Sequence, residues 1–257
     1  MYKSALKIIA VISSLLLYQG PVTAQRSSEN ADNKIDTLEF LTGKGKNLLT
    51  LELTKGQAWK HPTFAIWIED TEGNYLETVF VTRSIATGIY DHADGGNGTW
   101  KDEPGESIRP AALPYWAHKR GVMSRDGLYV PTPENPVTDA ITGPTPEQDF
   151  VLKTDRLHST GKNFRVLLEI NQPWDWNDYW INNKFPGQPD YLTSAQPSVI
   201  YAGDVERKKD GQTVLLQPIG HGHPYGGDGT MNSDLSTLSS ALEIVAEIKF
   251  TINELQK

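Results

Sequence analysis

The sequence predicts an all-β fold, an antiparallel β-sandwich with a long Gly/Pro-rich insertion and one short helix near the C-terminus. Three observations carry that expectation. Eight short runs alternate apolar and polar residues with the period of two that strands require. The segment from about 84 to 149 lacks such runs and is thick with Gly and Pro. Apolar residues fall at helical spacing in only one stretch, SDLSTLSSALE from Ser233.

Residues 1–24 combine Lys3 and Lys7, an apolar run from Ile8 to Leu17 and a small-residue end at Val22, Thr23 and Ala24. These are the three parts of a secretory signal, with cleavage expected after Ala24. The run is well short of the roughly 20 residues that span a bilayer, so an exported protein, periplasmic or secreted, without a stable membrane anchor is expected. Residues 25–36 (QRSSENADNKID) carry too little apolar surface to order themselves and read as a flexible linker. Residues 37–257 then form a single sandwich domain.

The first strands are LLTLELT from Leu48, FAIWIED from Phe64 and YLETVFVTR from Tyr75. With EGN as the turn, the last two form a hairpin in which Phe64, Ile66 and Ile68 share one face and Trp67 points to the other. Later strands are FVLKTD from Phe150, FRVLLEIN from Phe164, SVIYAGDV from Ser198, TVLLQPIG from Thr213 and IVAEIKFTI from Ile244. In the last, Ala246, Ile248, Phe250 and Ile252 alternate with Glu247, Lys249 and Thr251, the pattern of a half-buried antiparallel strand. In the helix, Asp234 is the cap, and Leu235, Leu238 and Leu242 make the apolar side. Eight strands in two sheets suit an immunoglobulin-like sandwich. Between Arg83 and Phe150, scattered Trp, Tyr and Leu favour an ordered insertion over a structureless loop.

The 257 residues include no cysteine, which argues against disulfides, thiolate metal sites, lipoprotein anchoring and cysteine nucleophiles. Loss of Lys3 and Lys7 with the signal takes 24 basic residues to 22 against 32 acidic ones, a net charge of −10. That balance argues against nucleic acid or an anionic membrane as a partner.

Five segments taken together, FAIWIEDTEGNYLETVFVT, LPYWAHKRG, DAITGPTP, LLEINQPWDWNDYW and GHGHPYGGDG, resemble an uncharacterised bacterial family of predicted periplasmic proteins with a domain of unknown function. The resemblance spans about Leu48 to Asn253. It implies an exported immunoglobulin-like sandwich, no established enzymatic activity, and a gene neighbourhood of flavin transferases and other extracytoplasmic redox proteins.

DAITGPTP is similar to the flavin-attachment motif of extracytoplasmic flavoproteins, where Asp, two variable residues, Ser or Thr, Gly, Ala and Thr follow in order. Asp139, Thr142, Gly143 and Thr145 match it, and the resemblance makes Thr145 the acceptor of FMN through a phosphoester. Pro144 stands where the motif has alanine. A hydroxyl for a transferase must sit on an accessible loop, and a preceding glycine lets backbone approach a nucleotide closely. Pro144 and Pro146 bias Gly143 and Thr145 toward extended conformations and stiffen the segment. The competing reading is a rigid Gly-Pro turn.

Other constellations offer further sites. Trp174, Trp176, Tyr179 and Trp180 in QPWDWNDYW present aromatic faces suited to flavin or sugar rings, with Trp174 and Trp176 on one side if the stretch is extended. A satellite hydrophobic cluster explains the same residues. His118, Lys119 and Arg120 in AHKRG suit a phosphate or carboxylate, or else a solvated loop with local ion pairs. His221 and His223 would face one side of an extended strand and could share a metal with Asp228, His118, His61 or His92, although two ligands are too few and the surrounding glycines favour a structured loop. DHADGGNG from Asp91 lacks the ligand spacing of a calcium loop. No Gly-x-Ser-x-Gly elbow is present, and Asp175 and Asp178 have no assignable acid and base roles, so no catalytic residue is assigned. The leading expectation is a non-hydrolytic exported protein of a flavin-linked redox system, with a flavin transferase and extracytoplasmic redox proteins as partners. The alternatives are a module that binds a carbohydrate or other ligand through Trp174 to Trp180 and a structural or assembly protein.

Overall fold

A computed structural model describes residues 35–96, 99–124, 126–157, 163–206 and 211–255. The secretory signal and residues 25–34 of the linker lie outside the described residues. In chain order the strands are β1 (Ile35–Phe40), β2 (Asn47–Lys55), β3 (Thr63–Asp70), β4 (Tyr75–Thr82), β5 (Ile89–Tyr90), β6 (Asp94–Gly96), β7 (Thr99–Trp100), β8 (Gly105–Glu106), β9 (Ile141–Gly143), β10 (Asp149–Thr154), β11 (Phe164–Asn171), β12 (Val199–Val205), β13 (Gln212–Leu215), β14 (Gln217–His221) and β15 (Val245–Glu254). Three α-helices are short: α1 (Arg83–Thr87), α2 (Pro114–Arg120) and α3 (Tyr191–Ser194).

Two sheets pack face to face as a β-sandwich. A five-stranded sheet has the order β1-β10-β2-β15-β13, and a six-stranded sheet the order β14-β12-β11-β3-β4-β9. Pairing is antiparallel except at one edge of each sheet, where β1 runs parallel to β10 and β9 parallel to β4. The hairpin of β3 and β4 forms as the EGN turn predicts. Phe64, Ile66 and Ile68 face the inter-sheet core with Leu49, Leu51 and Leu53 of β2 and Ile248, Phe250 and Ile252 of β15. Trp67 points the other way, as strand alternation requires.

That other face is also buried. Ala65 and Trp67 of β3, Leu167 of β11 and Ile200 of β12 pack against Ile85 and Ala86 of α1, Trp116 and Ala117 of α2, Leu113 just before it, and Val137. The Gly/Pro-rich insertion is therefore a second layer over the outer face of the six-stranded sheet. Seven of the eight residues of β3 are buried, so a strand predicted to have one core face has two.

The second layer is tied down by one buried carboxylate. Helix α2 follows Leu113, whose side chain offers no cap, and its first N–H groups need an acceptor. Glu169 of β11 supplies it: Oε2 accepts from the Trp116 amide at 2.6 Å and Oε1 from the Tyr115 amide at 3.2 Å. The Ser198 hydroxyl donates to Oε1 at 2.5 Å. Burial pushes the Glu169 carboxyl from an ordinary 4.5 up to about 7, against the lowering by Ser198, Trp116 and Tyr115.

Four local readings change. TVLLQPIG is two strands: Leu216 is buried between them, and the chain passes from β13 beside β15 to β14 beside β12. SDLSTLSSALE is helical only as a 3₁₀ turn at Ser240–Glu243: the Asp234 carboxylate accepts from the Ser236 amide at 2.9 Å as a cap would, but the chain closes an isolated turn from Leu235 to Leu238 and does not continue as a helix. Ile35 and Asp36, at the end of the expected linker, already belong to β1, which β10 orders by parallel pairing. In β15 a bulge between Val245 and Glu247 turns Ala246 outward, while Ile248, Phe250 and Ile252 keep the predicted inward face.

Trp116→Ala empties the centre of the second layer and is expected to destabilise the protein by about 3–5 kcal/mol, read as a lower urea midpoint. Because the folded Glu169 carboxyl has a raised pKa, the folded state retains a proton that the unfolded chain releases. Its contribution to stability is full below pH 4.5 and is lost as pH rises to about 7. At ~1.4 kcal/mol per pH unit this amounts to a loss on the order of 3 kcal/mol. Glu169→Gln is expected to flatten this part of the stability profile in urea melts at pH 4.5 to 8.

Candidate functional site

DAITGPTP lies where the sandwich opens along one edge. Ile141–Gly143 forms β9, paired with Phe80, Val81 and Thr82 of β4, so three of the motif's eight residues are strand and not turn. β1 is the edge of the facing sheet. Between these edges lies a pocket of about 280 Å³. Leu38, Phe80 and Phe150 give it an apolar lining, Thr142, Gly143 and Thr145 one wall, and Arg83 a basic group. Asp36 and Glu147 contribute acidic residues to the lining.

The acceptor candidate is held in place. The Thr145 hydroxyl donates to the Pro62 carbonyl at 3.1 Å, and the Trp59 indole N–H donates to the Pro146 carbonyl at 3.2 Å. Both anchors come from the connection between β2 and β3. On the far side the Glu147 and Gln148 amides donate to Asp36 Oδ2 at 2.8 and 3.3 Å. The exposed Pro144 therefore sits between fixed ends, in keeping with the stiffness its ring imposes.

The matched residues do not all act in one place. A Cβ at Gly143 would lie 3.3 Å from Phe80 Cε2 and 3.4 Å from Leu38 Cδ2, so this glycine serves close packing of its backbone on two core side chains as well as lining the pocket. Asp139 is outside the lining. Its carboxylate lies 3.8 Å from Arg120 Nη2, and its carbonyl accepts from Arg156 at 3.2 Å.

His118, Lys119 and Arg120 occupy the last turn of α2, where a helix C-terminus favours basic groups, and they diverge. The Lys119 ammonium donates to the Gly73 carbonyl at 2.7 Å and lies 3.5 Å from Glu69. Arg120 is buried, and its Nε and Nη1 find no hydrogen-bond partner among the described residues. His118 Nδ1 lies 2.8 Å from the Pro114 carbonyl, which can only accept, so that nitrogen carries the proton. Its ring stacks on Tyr129 at 4.3 Å and lines a pocket of about 130 Å³ with Gly226 and Gly227. No single anion is gathered by the three.

His221 ends β14 and is buried, with Nδ1 2.8 Å from the Gly222 carbonyl and its ring edge-on to Trp180. His223 lies beyond the strand in a turn, where Nδ1 accepts from the Gly227 and Tyr225 amides at 3.1 and 3.4 Å. Burial, ahead of the nearby charges, lowers the His223 pKa. Asp228 is engaged by the Thr230 hydroxyl and amide. His92 lies 3.6 Å from Asp102 and His61 is exposed. Among the described residues no three His, Asp or Glu side chains are placed to hold a metal ion.

The tryptophan stretch is a series of turns, so the shared face of Trp174 and Trp176 that an extended strand would give does not form. Trp176 packs on Tyr191 at 5.5 Å, and Trp180 is buried in the sandwich core. Tyr179 is exposed beneath the Lys184 ammonium, 3.4 Å from its ring centroid. Trp174 is exposed and pairs instead with Trp100 of β7. Asp175 turns inward to accept from Ser240 Oγ at 2.5 Å, whereas Asp178 is exposed, so the two carboxylates do not work together.

Arg83, Phe80 and Pro62 escaped the sequence reading. Arg83 directly follows a strand, and no local pattern separates it from an ordinary surface charge. No family model matches the chain, and neither a curated protein nor a solved structure matches it.

Thr145→Val removes the hydrogen bond to Pro62 while keeping the shape of the side chain. It is expected to cost about 1 kcal/mol of stability and to leave the fold intact, as read by urea melts and far-UV circular dichroism.

Proposed function

We propose that this protein is an exported, non-hydrolytic β-sandwich carrier in an extracytoplasmic flavin-linked redox system, with FMN esterified to Thr145. One observation carries the reading: three of the four residues that match the flavin-attachment motif, Thr142, Gly143 and Thr145, line one pocket, and Arg83 lines it with them.

The chemistry of that lining fits the group. The Arg83 guanidinium offers paired donors of the kind that bind phosphate oxygens. Leu38, Phe80 and Phe150 offer apolar surface to a flat ring. The transferase would supply FMN as an activated phosphoanhydride: Thr145 Oγ bonds to phosphorus, a nucleoside monophosphate leaves, and the hydroxyl proton, hydrogen-bonded to the Pro62 carbonyl before the step, passes to a base of the transferase. FMN held there supplies one- and two-electron transfer; the residues of this chain anchor it and orient it. The secretory-signal pattern of residues 1–24 supports an extracytoplasmic setting, where a flavin transferase and redox proteins would be the partners.

The test is to co-express the full chain with a flavin transferase and record intact mass and in-gel fluorescence after denaturation. Wild type should gain the mass of FMN less one water. Thr145→Val should gain nothing, and Arg83→Ala should be modified several-fold more slowly. Pro144→Ala, which restores the usual residue, should be modified faster. Unmodified wild type, or equal modification of Thr145→Val, overturns the reading.

A further inference from the structure

Trp174 presents a feature that core packing does not explain. Its φ is 57°, a left-handed conformation that a bulky residue keeps only where its surroundings impose it. Two backbone hydrogen bonds impose it here: the Trp174 amide donates to the Thr193 carbonyl at 3.2 Å, and the Trp176 amide donates to the Trp174 carbonyl at 3.1 Å. The residue is nevertheless 53% exposed. A strained backbone is being used to hold an indole in solvent.

The neighbours of that indole come from the insertion. Trp100 meets it edge to face, with centroids 5.6 Å apart and planes at 83°. The Arg109 guanidinium lies 4.6 Å from the Trp100 ring centroid and 3.9 Å from that of Tyr90, which fixes its plane. Its Nε donates to Ser107 Oγ at 3.2 Å, and among the described residues its Nη groups form no ion pair or further hydrogen bond. Two carboxylates complete the group. Asp94 of β6 pairs with Trp100 across the β6–β7 ladder, and Asp190 immediately precedes α3, whose Thr193 carbonyl holds the Trp174 amide. Burial first and Asp94 second raise the Asp190 carboxyl above the ordinary range.

We propose that Trp174, Trp100, Arg109, Asp94 and Asp190 form a binding site for a neutral saccharide, with the Trp174 indole as the stacking platform. The C–H face of a pyranose ring matches an exposed indole, which offers a flat apolar surface at low conformational cost. Its hydroxyls both donate and accept, and the group offers both carboxylate acceptors and guanidinium donors. Two carboxylates to one guanidinium select against acidic sugars. Half-exposure of the platform suits an open chain better than an enclosed small ligand. None of these residues lines the Thr145 pocket, so the site stands independently of the flavin reading.

The experiment titrates the full chain with cellohexaose, chitohexaose, maltohexaose and an acidic control, hexagalacturonate, following tryptophan fluorescence and heat. At least one neutral hexasaccharide should give a saturable response. Trp174→Ala and Asp190→Asn should each weaken it about tenfold or more. Trp174 is exposed, so its alanine variant should keep its far-UV spectrum and a Tm within a few degrees of wild type, which separates loss of binding from loss of fold. Absence of a saturable response to all three neutral probes up to about 10 mM overturns the proposal, since weaker binding carries little specificity. So does wild-type affinity in Trp174→Ala, or preference for hexagalacturonate.

Discussion

The six-stranded sheet is apolar on both faces, and the rest of the molecule is arranged to satisfy that constraint. Phe64, Ile66 and Ile68 demand one covering layer and Ala65 and Trp67 another, in the same strand. The five-stranded sheet supplies the first. The second has to come from the insertion, which explains why so Gly- and Pro-rich a segment carries Ile85, Leu113, Trp116 and Val137 at the positions where it meets the sheet. Burial of such large side chains is the dominant favourable term in folding, and an uncovered Trp67 would forfeit it.

The buried Glu169 is what this second layer requires in polar terms. Helix α2 presents unpaired N–H groups to an apolar interface, and the Glu169 carboxyl oxygens accept from two of them, which avoids the cost of leaving those donors unsatisfied. With the helix start fixed on β11, its C-terminal turn is fixed too, which sends His118, Lys119 and Arg120 to three different partners. A basic cluster in the sequence thus becomes a set of separate structural contacts.

The same layer decides where the motif goes. After covering the sheet the chain must return to the five-stranded sheet at β10, and it does so along the free edge of β4 as β9. That route places Thr142, Gly143 and Thr145 opposite β1, at an edge where neither sheet closes the sandwich. Gly143 shows how closely fold and site are joined, because the backbone approach that the motif calls for is also the approach that seats β9 on Phe80 and Leu38.

Period-two alternation and turn residues were enough, in the sequence alone, to determine a β-sandwich, the β3–β4 hairpin with its facing of Phe64 and Trp67, and most strand positions, because these depend on neighbours along one chain segment. Local pattern also pointed to DAITGPTP and to the aromatic cluster of Trp174, Trp176, Tyr179 and Trp180, whose exposure only the structure decided. Which residues join them was decided only by tertiary structure. Arg83 reaches the motif from the end of β4, and Trp100 reaches Trp174 from an insertion more than sixty residues earlier, bringing Arg109 with it. The helical spacing from Ser233 gave only a turn at Leu235–Leu238 and a 3₁₀ turn at Ser240–Glu243, and the shared face of Trp174 and Trp176 yielded to a backbone turn. Such pairings carry no signature in spacing, since they arise where layers built from distant segments meet, and that meeting is set by the need to cover both faces of one sheet.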